Sequence, residues 1–248
     1  MIALVTGGNR GLGRETVLQL AEAGTDIILT YRTHADEADA VADKVRSLGR
    51  KVRVLRLDVA EIAGFASFTD RVRDELRAEW DRDTFDFLVN NAGSGGLTPF
   101  TDVTEGYFDE LLNVHFKGVF FLTQHLLPLL ADGGRIVNVS TALTRFTNPG
   151  MSAYASMKAA VEALTRYLAA ELAPRGITVN VVAPGATATD FAGGFAGSPE
   201  GRAALGNITA LGRAGEAGDI GGVVAALLAP GTGWITGQRV EASGGMML

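Results

Sequence analysis
Two hydrophobic periods alternate along this chain, and that alternation limits the fold more than any other feature. Ile2–Val5, Ile27–Leu29, Phe85–Val89, Arg135–Val139 and Thr178–Val182 are short, mainly apolar runs that read as buried strands. Val52–Leu57 alternates apolar and polar residues as a strand does, and a last short strand falls near Arg239–Glu241. Between them lie stretches with helical spacing: Leu12–Ala21, Asp36–Leu48, about Phe65–Trp80, a long one over about Thr104–Leu130, Ser152–Leu172 and about Asp219–Leu228. Strand-helix alternation of this kind makes βαβ units and a parallel sheet covered on both faces. The expected architecture is α/β: one Rossmann-type doubly wound sheet of about seven strands in a single domain over residues 1–248. Ligands of such a sheet bind at the carboxyl ends of its strands.

The first strand runs into Thr6-Gly7-Gly8-Asn9-Arg10-Gly11-Leu12-Gly13, with a helix following. Glycines here let backbone approach a pyrophosphate, which the free N–H groups of a helix N-terminus stabilise. The spacing is neither G-x-G-x-x-G nor a P-loop, so a glycine-rich turn without a ligand stays open as the alternative. Gly7, Asn9, Arg10, Gly11, Leu12 and Gly13 are the candidate cradle. An NAD site places a carboxylate at the end of the second strand. That position here holds Tyr31, followed by Arg32, and Arg10 lies in the turn itself. Guanidinium groups suit a 2′-phosphate, so the expected cofactor is NADP(H).

Composition excludes several classes of partner and chemistry. The formal net charge of −6 argues against nucleic acid. The absence of cysteine removes disulfides, thiol nucleophiles and thiolate zinc sites, and fits a reducing cytoplasm. The first residues have no basic segment of a secretory signal, and no apolar run nears the roughly 20 residues that span a bilayer. His34, His115 and His125 have no metal-ligand spacing and are expected in core or surface roles, with no metal site. Trp80 and Trp234 are expected to pack.

Tyr154 and Lys158 are four apart at the start of a helix and share a face. An ammonium beside a phenol is expected to lower the phenol's pKa and make it an acid/base near neutrality.

Taken in order, the motifs resemble the short-chain dehydrogenase/reductase superfamily along almost the whole chain. They are the Thr6–Gly13 turn, Asp58-Val59, Asn90-Asn91-Ala92-Gly93, Asn113-Val114, Gly134–Thr141, Tyr154–Lys158, Pro184-Gly185 with Thr189-Asp190, and Ile235–Gln238. The resemblance implies that Tyr154 gives a proton to a carbonyl oxygen as hydride arrives from nicotinamide. It implies that Lys158 binds the nicotinamide ribose and that Asn113 holds a water linking Lys158 to solvent. Asp58 and Val59 would meet adenine, Asn90, Ala92 and Gly93 would line the cofactor, and Pro184, Gly185, Thr187 and Thr189 would lie near the nicotinamide.

One position departs from the family. Its substrate-orienting serine lies thirteen residues before the tyrosine, which here is Thr141, with Ser140 one residue early. A one-residue shift on a strand turns a side chain to the opposite face, so Thr141 takes the role. A mobile lid is expected over about 190–212, with Phe191 and Phe195 covering an apolar ketone and Arg145 able to meet an anionic group. The long helices and C-terminal strand imply a homotetramer or homodimer. The expected activity is NADPH-dependent reduction of a ketone, either a 3-oxoacyl thioester that could be carrier-bound or a secondary-metabolite ketone. An NAD(P)-dependent alcohol or sugar dehydrogenase is the alternative, and a non-catalytic dinucleotide-binding regulator a more distant one.

Overall fold
A computed structural model describes all residues from Met1 to Leu248. Seven strands form one parallel sheet: β1 (Ile2–Val5), β2 (Asp26–Tyr31), β3 (Val52–Arg56), β4 (Phe85–Asn90), β5 (Leu130–Val139), β6 (Thr178–Pro184) and, last in the chain, β9 (Arg239–Ala242). Their spatial order is β3-β2-β1-β4-β5-β6-β9. Two-residue strands β7 (Thr187–Ala188) and β8 (Gly215–Glu216) pair separately. The order reverses between β1 and β4, so the turns after β1, β4 and β5 open onto one crevice, as in doubly wound sheets generally.

The helices are α1 (Gly11–Glu22), α2 (Ala35–Ser47), α3 (Phe65–Trp80), α4 (Glu105–Leu112), α5 (Gly118–Leu126), α6 (Ser152–Glu171), α7 (Pro199–Asn207) and α8 (Ala217–Leu228). Strand pleating decides which layer each apolar residue serves. Ile2 and Leu4 of β1 join Phe65, Val72 and Leu76 of α3 and Leu122 and Leu126 of α5 in one core. Ala3 and Val5 point the other way, into a core with Val17 and Leu20 of α1, Val41 and Val45 of α2 and Val224 and Leu227 of α8. Each fully buried Leu or Ile contributes about 1.5–3 kcal/mol relative to exposure, so both faces hold the sheet.

The expected long helix over 104–130 is interrupted. Asn113–Lys117 forms a π turn between α4 and α5, and β5 already starts at Leu130. Gly118 follows that turn, and a Cβ there would overlap the Val59 carbonyl oxygen, so the position requires glycine. π turns inside helices re-aim side chains and gather at functional sites. A second departure is α7, which runs through the expected lid. The Ser198 hydroxyl caps it by accepting from the Gly201 N–H at 3.0 Å, with Pro199 in its first turn. Trp80 packs and donates to Asp26 Oδ2 at 2.9 Å, but Trp234 is fully exposed, contrary to the expectation that it packs.

Candidate active site
The glycine turn is built for close backbone approach. Gly7 and Gly11 have φ of 63° and 55°, the left-handed region that favours glycine. A Cβ on Gly13 would overlap the Gly7 carbonyl oxygen and the Asn91 side chain. Asn91 donates to the Thr6 carbonyl at 2.8 Å, while Thr6 Oγ1 accepts from the N–H groups of Asn91 and Ala92 at 2.9 and 3.0 Å. Thr6 and Asn91 thus hold the turn against the end of β4, a positioning task that sequence reasoning left unassigned although both residues lie inside quoted motifs. No side chain caps the N-terminus of α1, so its first N–H groups remain available to a phosphate. Arg10 and Arg32 are exposed beside this turn, and half-buried Tyr31 ends β2. Asn9 is held by Glu37, a carboxylate on α2, at 2.7 Å. These residues fit a dinucleotide pyrophosphate with a charged ribose substituent.

The remaining expected cofactor residues divide. Gly185 and Thr187 line a cavity with Arg213, Asp219 and Ser243, and Thr189 lies against Gly11. Gly93 lies in the turn after β4 and Pro184 closes β6. Asp58 accepts from the Ala60 N–H at 3.0 Å, shaping the turn that carries Val59. Asn90 does not present its side chain to the crevice. It is buried, donating to Thr123 Oγ1 at 3.0 Å and to Asn138 Oδ1 at 2.8 Å, and Asn138 in turn donates to Thr165 at 2.9 Å. The ladder clamps β4 and β5 to α5 and α6, a satisfied polar network inside the core; only the Asn90 backbone is left for a cofactor.

Tyr154, Lys158 and Thr141 come together where β5 ends and α6 begins. Tyr154 and Lys158 are 8% and 4% exposed. The Lys158 ammonium donates to the Val139 carbonyl oxygen at 2.7 Å and stands 5.8 Å from the Tyr154 ring centroid. Burial pushes its pKa down to about 8. Burial also pushes the Tyr154 phenol above its ordinary value, while a hydrogen bond with Thr141 pulls it back. This corrects the expectation of a phenol lowered by the adjacent ammonium: desolvation by burial dominates. Ser140 is turned away, its hydroxyl donating to Glu162 Oε1 at 2.7 Å.

Asn113 lies at the start of the π turn, on the chain just before α5, and makes no direct side-chain hydrogen bond to Lys158. It is half-buried, and its carbonyl accepts from the Gly118 N–H that closes the π turn. The side chain delivered to Tyr154 is His115, two residues on, whose ring meets the phenol ring edge-on at 5.0 Å and 90°. His125 packs edge-on against Phe65, His34 is exposed and His115 is buried, as the expected core and surface roles require.

Phe191 packs against Tyr154 from the lid side, with ring centroids 5.5 Å apart, and lies over Gly95, where a Cβ would come within 2.8 Å of it. Phe195 is exposed. Arg145 does not face the site as a free cation. Its guanidinium forks onto Glu241 at 2.9 and 2.6 Å and donates to the Met247 carbonyl at 3.0 Å. A phenol and a second hydroxyl converging beside a buried ammonium, under an aromatic cover, can receive one carbonyl oxygen and protonate it.

The comparisons with known proteins agree in kind. Residues 7–247 match the family model described as enoyl-(acyl carrier protein) reductase. The short-chain dehydrogenase/reductase FrzI of Cladobotryum sp is 34% identical, over 99% of this chain and 95% of its own. The 3-oxoacyl-[acyl-carrier-protein] reductase FabG of Staphylococcus epidermidis is 34% identical, over 99% and 98%. Among solved structures, the angucycline C-6 ketoreductase LanV with bound NADP superposes with a TM-score of 0.94 at 34% identity, covering 99% of this chain and 95% of its own.

Proposed function
The chain belongs to the short-chain dehydrogenase/reductase family, and from that premise we propose that it reduces an uncharged, apolar cyclic ketone to a secondary alcohol at the expense of NADPH. The observation that carries this reading is the convergence of the Thr141 hydroxyl and the Tyr154 phenol beside buried Lys158. Both hydroxyls can donate to one acceptor oxygen, as a carbonyl offers. NADP in LanV and the exposed Arg10 and Arg32 support the choice of dinucleotide. Gly7, Asn9, Gly11, Leu12 and Gly13 would cradle its pyrophosphate, Tyr31, Asp58 and Val59 its adenosine half, and Ala92, Gly93, Pro184, Gly185, Thr187 and Thr189 its nicotinamide half.

The bound cofactor would supply the hydride. Thr141 orients the carbonyl through a hydrogen bond, and Tyr154 transfers the phenolic proton to its oxygen. The positive charge of Lys158 stabilises the phenolate that is left. Phe191, already on the phenol ring, covers the lid side of the site against bulk solvent.

The substrate class follows from charge. Arg145 is committed to Glu241, Arg202 to Glu216 and Arg213 to Asp219. None of these three is left to meet an acidic carrier or a substrate carboxylate, whereas Phe191, Leu143 and Met151 offer apolar cover around Tyr154. NADPH consumption on cyclic ketones, 3-oxoacyl and enoyl thioesters, quinones and sugars, with NADH as control, tests the reading. Cyclic ketones with NADPH should turn over fastest. Preference for a sugar alcohol with NAD would favour the dehydrogenase alternative, and NADPH binding without any turnover the regulator.

The proposal includes one domain over 1–248 with a mobile lid over about 190–212, acting in the cytoplasm. No helix is long and apolar enough to cross a membrane. It also includes a homotetramer or homodimer, supported by Phe108, Phe120 and Tyr167, which are exposed on α4, α5 and α6. Light scattering at micromolar concentration would give a dimer or tetramer mass, and a monomer would refute it.

A further inference from the structure
None of the steps above uses His115, yet it is 1% exposed and touches the acid. Its Nε2 stands 2.5 Å from the Ser94 carbonyl oxygen. A carbonyl only accepts, so Nε2 carries the proton and Nδ1 presents a bare lone pair. That Nδ1 is buried without a hydrogen-bond partner. Burial, and then the charge of Lys158, hold the imidazole's pKa down to about 3, so the ring stays neutral at any working pH.

The surroundings make room for this ring in particular. A Cβ on Gly93 would come within 2.9 Å of Cε1 and 3.4 Å of Nδ1, so this residue of the turn after β4 must be small for the imidazole to fit beneath it. A phenylalanine could fill the same slab and pack edge-on against Tyr154. What it lacks is an acceptor, and a buried acceptor beside a phenol and an ammonium that must exchange protons is a seat for a donor.

We propose that His115 is a positioning residue of ketone reduction: Nδ1 accepts a hydrogen bond from a water that resupplies the proton Tyr154 gives up, while Nε2 ties the ring to the Ser94 wall of the site. On each turnover the phenol O–H breaks and the product O–H forms. The phenolate then takes a proton from that water, which recovers one from solvent, and the imidazole gains and loses none. The π turn has the matching role, since it carries His115 against the phenol. This inference rests on the ketoreductase reading.

The test compares His115→Phe and His115→Asn with the unaltered protein, using NADPH and the fastest ketone of the panel. Absence of turnover by the unaltered protein would count against the ketoreductase reading itself, and NADPH affinity and melting temperature report on the variants in either case. His115→Phe keeps the ring and loses the acceptor. It should bind NADPH within about twofold of the parent, lose about tenfold in kcat with KM little changed, and show a larger solvent deuterium isotope effect on kcat. His115→Asn restores an acceptor on a smaller side chain and should recover most of kcat and the parental isotope effect. A ring that merely packs gives the reverse order, Phe above Asn, with the isotope effect unmoved. That order, or a loss confined to NADPH affinity, overturns the proposal. If His115→Phe does not fold, the His115→Asn and His115→Leu pair is read the same way, with equal rates and isotope effects refuting it.

Discussion

Ser140 and Thr141 are chain neighbours whose hydroxyls serve opposite sides of the end of β5: Ser140 donates to Glu162 at 2.7 Å, while the Thr141 hydroxyl accepts from the Leu143 N–H at 3.3 Å on the side of Tyr154, whose phenol it pulls down. Glu162 also accepts from Thr144 at 2.8 Å and from Arg239 at 2.9 Å, so Ser140 belongs to a network that fixes the segment carrying Thr141. Thr141→Ala should therefore lower kcat about 10²-fold with NADPH affinity kept, the loss of one oriented donor. Ser140→Ala should cost about 1 kcal/mol of stability, one hydrogen bond, with kcat nearly unchanged. Steady-state kinetics and urea unfolding of the two variants check this; the reverse ranking in kcat contradicts it.

The pH dependence of reduction follows from Lys158 and Tyr154. Burial lowers Lys158 to about 8, so its ammonium is present below that pH and lost above it. Burial raises the phenol, so Tyr154 keeps its proton across the same range. Reduction should hold a plateau below about pH 8 and decline above it. A kcat profile that rises through pH 8 would show that the phenolate, rather than the phenol, is the form required.

Arg10 and Arg32 stand exposed beside the turn with no carboxylate partner within ion-pair distance. If they meet the 2′-phosphate, Arg10→Ala and Arg32→Ala should each weaken NADPH binding about 10- to 100-fold, the worth of a charge-assisted hydrogen bond. NADH binding should change little. Titration of both cofactors by fluorescence separates this from general damage to the turn, which would weaken both equally.

Arg145 ties the segment after Thr141 to the C-terminal strand. Through it, and to a lesser degree Ser243 and Arg239, Glu241 is held down to about 2. A carboxylate lowered in the folded state stabilises it above the ordinary value of about 4.3, and that contribution drains away as pH falls toward 2. Arg145→Met should lower the melting temperature at pH 7 and flatten its acid dependence, while KM for neutral ketones stays within about twofold. A large rise in KM at unchanged stability would return Arg145 to a substrate role.

The strand-helix alternation, the glycine turn and the Tyr154–Lys158 pair could be read in the chain because each depends on residues a few positions apart. The 3.6-residue period puts Tyr154 and Lys158 on one face whatever they pack against. The same period fails over Asn113–Lys117, where a wider π turn carries His115 against Tyr154. Only Gly118 hints at the irregularity, and its reason, the Val59 carbonyl, lies on another turn. Arg145 and Glu241 are 96 residues apart, so no local pattern could have removed that guanidinium from the substrate. Asn90 likewise faces the core because Thr123 and Asn138 are placed to receive it.

The central claim is that Tyr154 is the acid of an NADPH-dependent ketone reduction. The direct measurement is NADPH consumption with a cyclic ketone by the unaltered protein and by Tyr154→Phe, with NADPH affinity measured for both. The account predicts turnover by the unaltered protein and a loss of about 10² to 10⁴-fold in kcat for Tyr154→Phe at equal NADPH affinity. Turnover by Tyr154→Phe at the parental rate would contradict it.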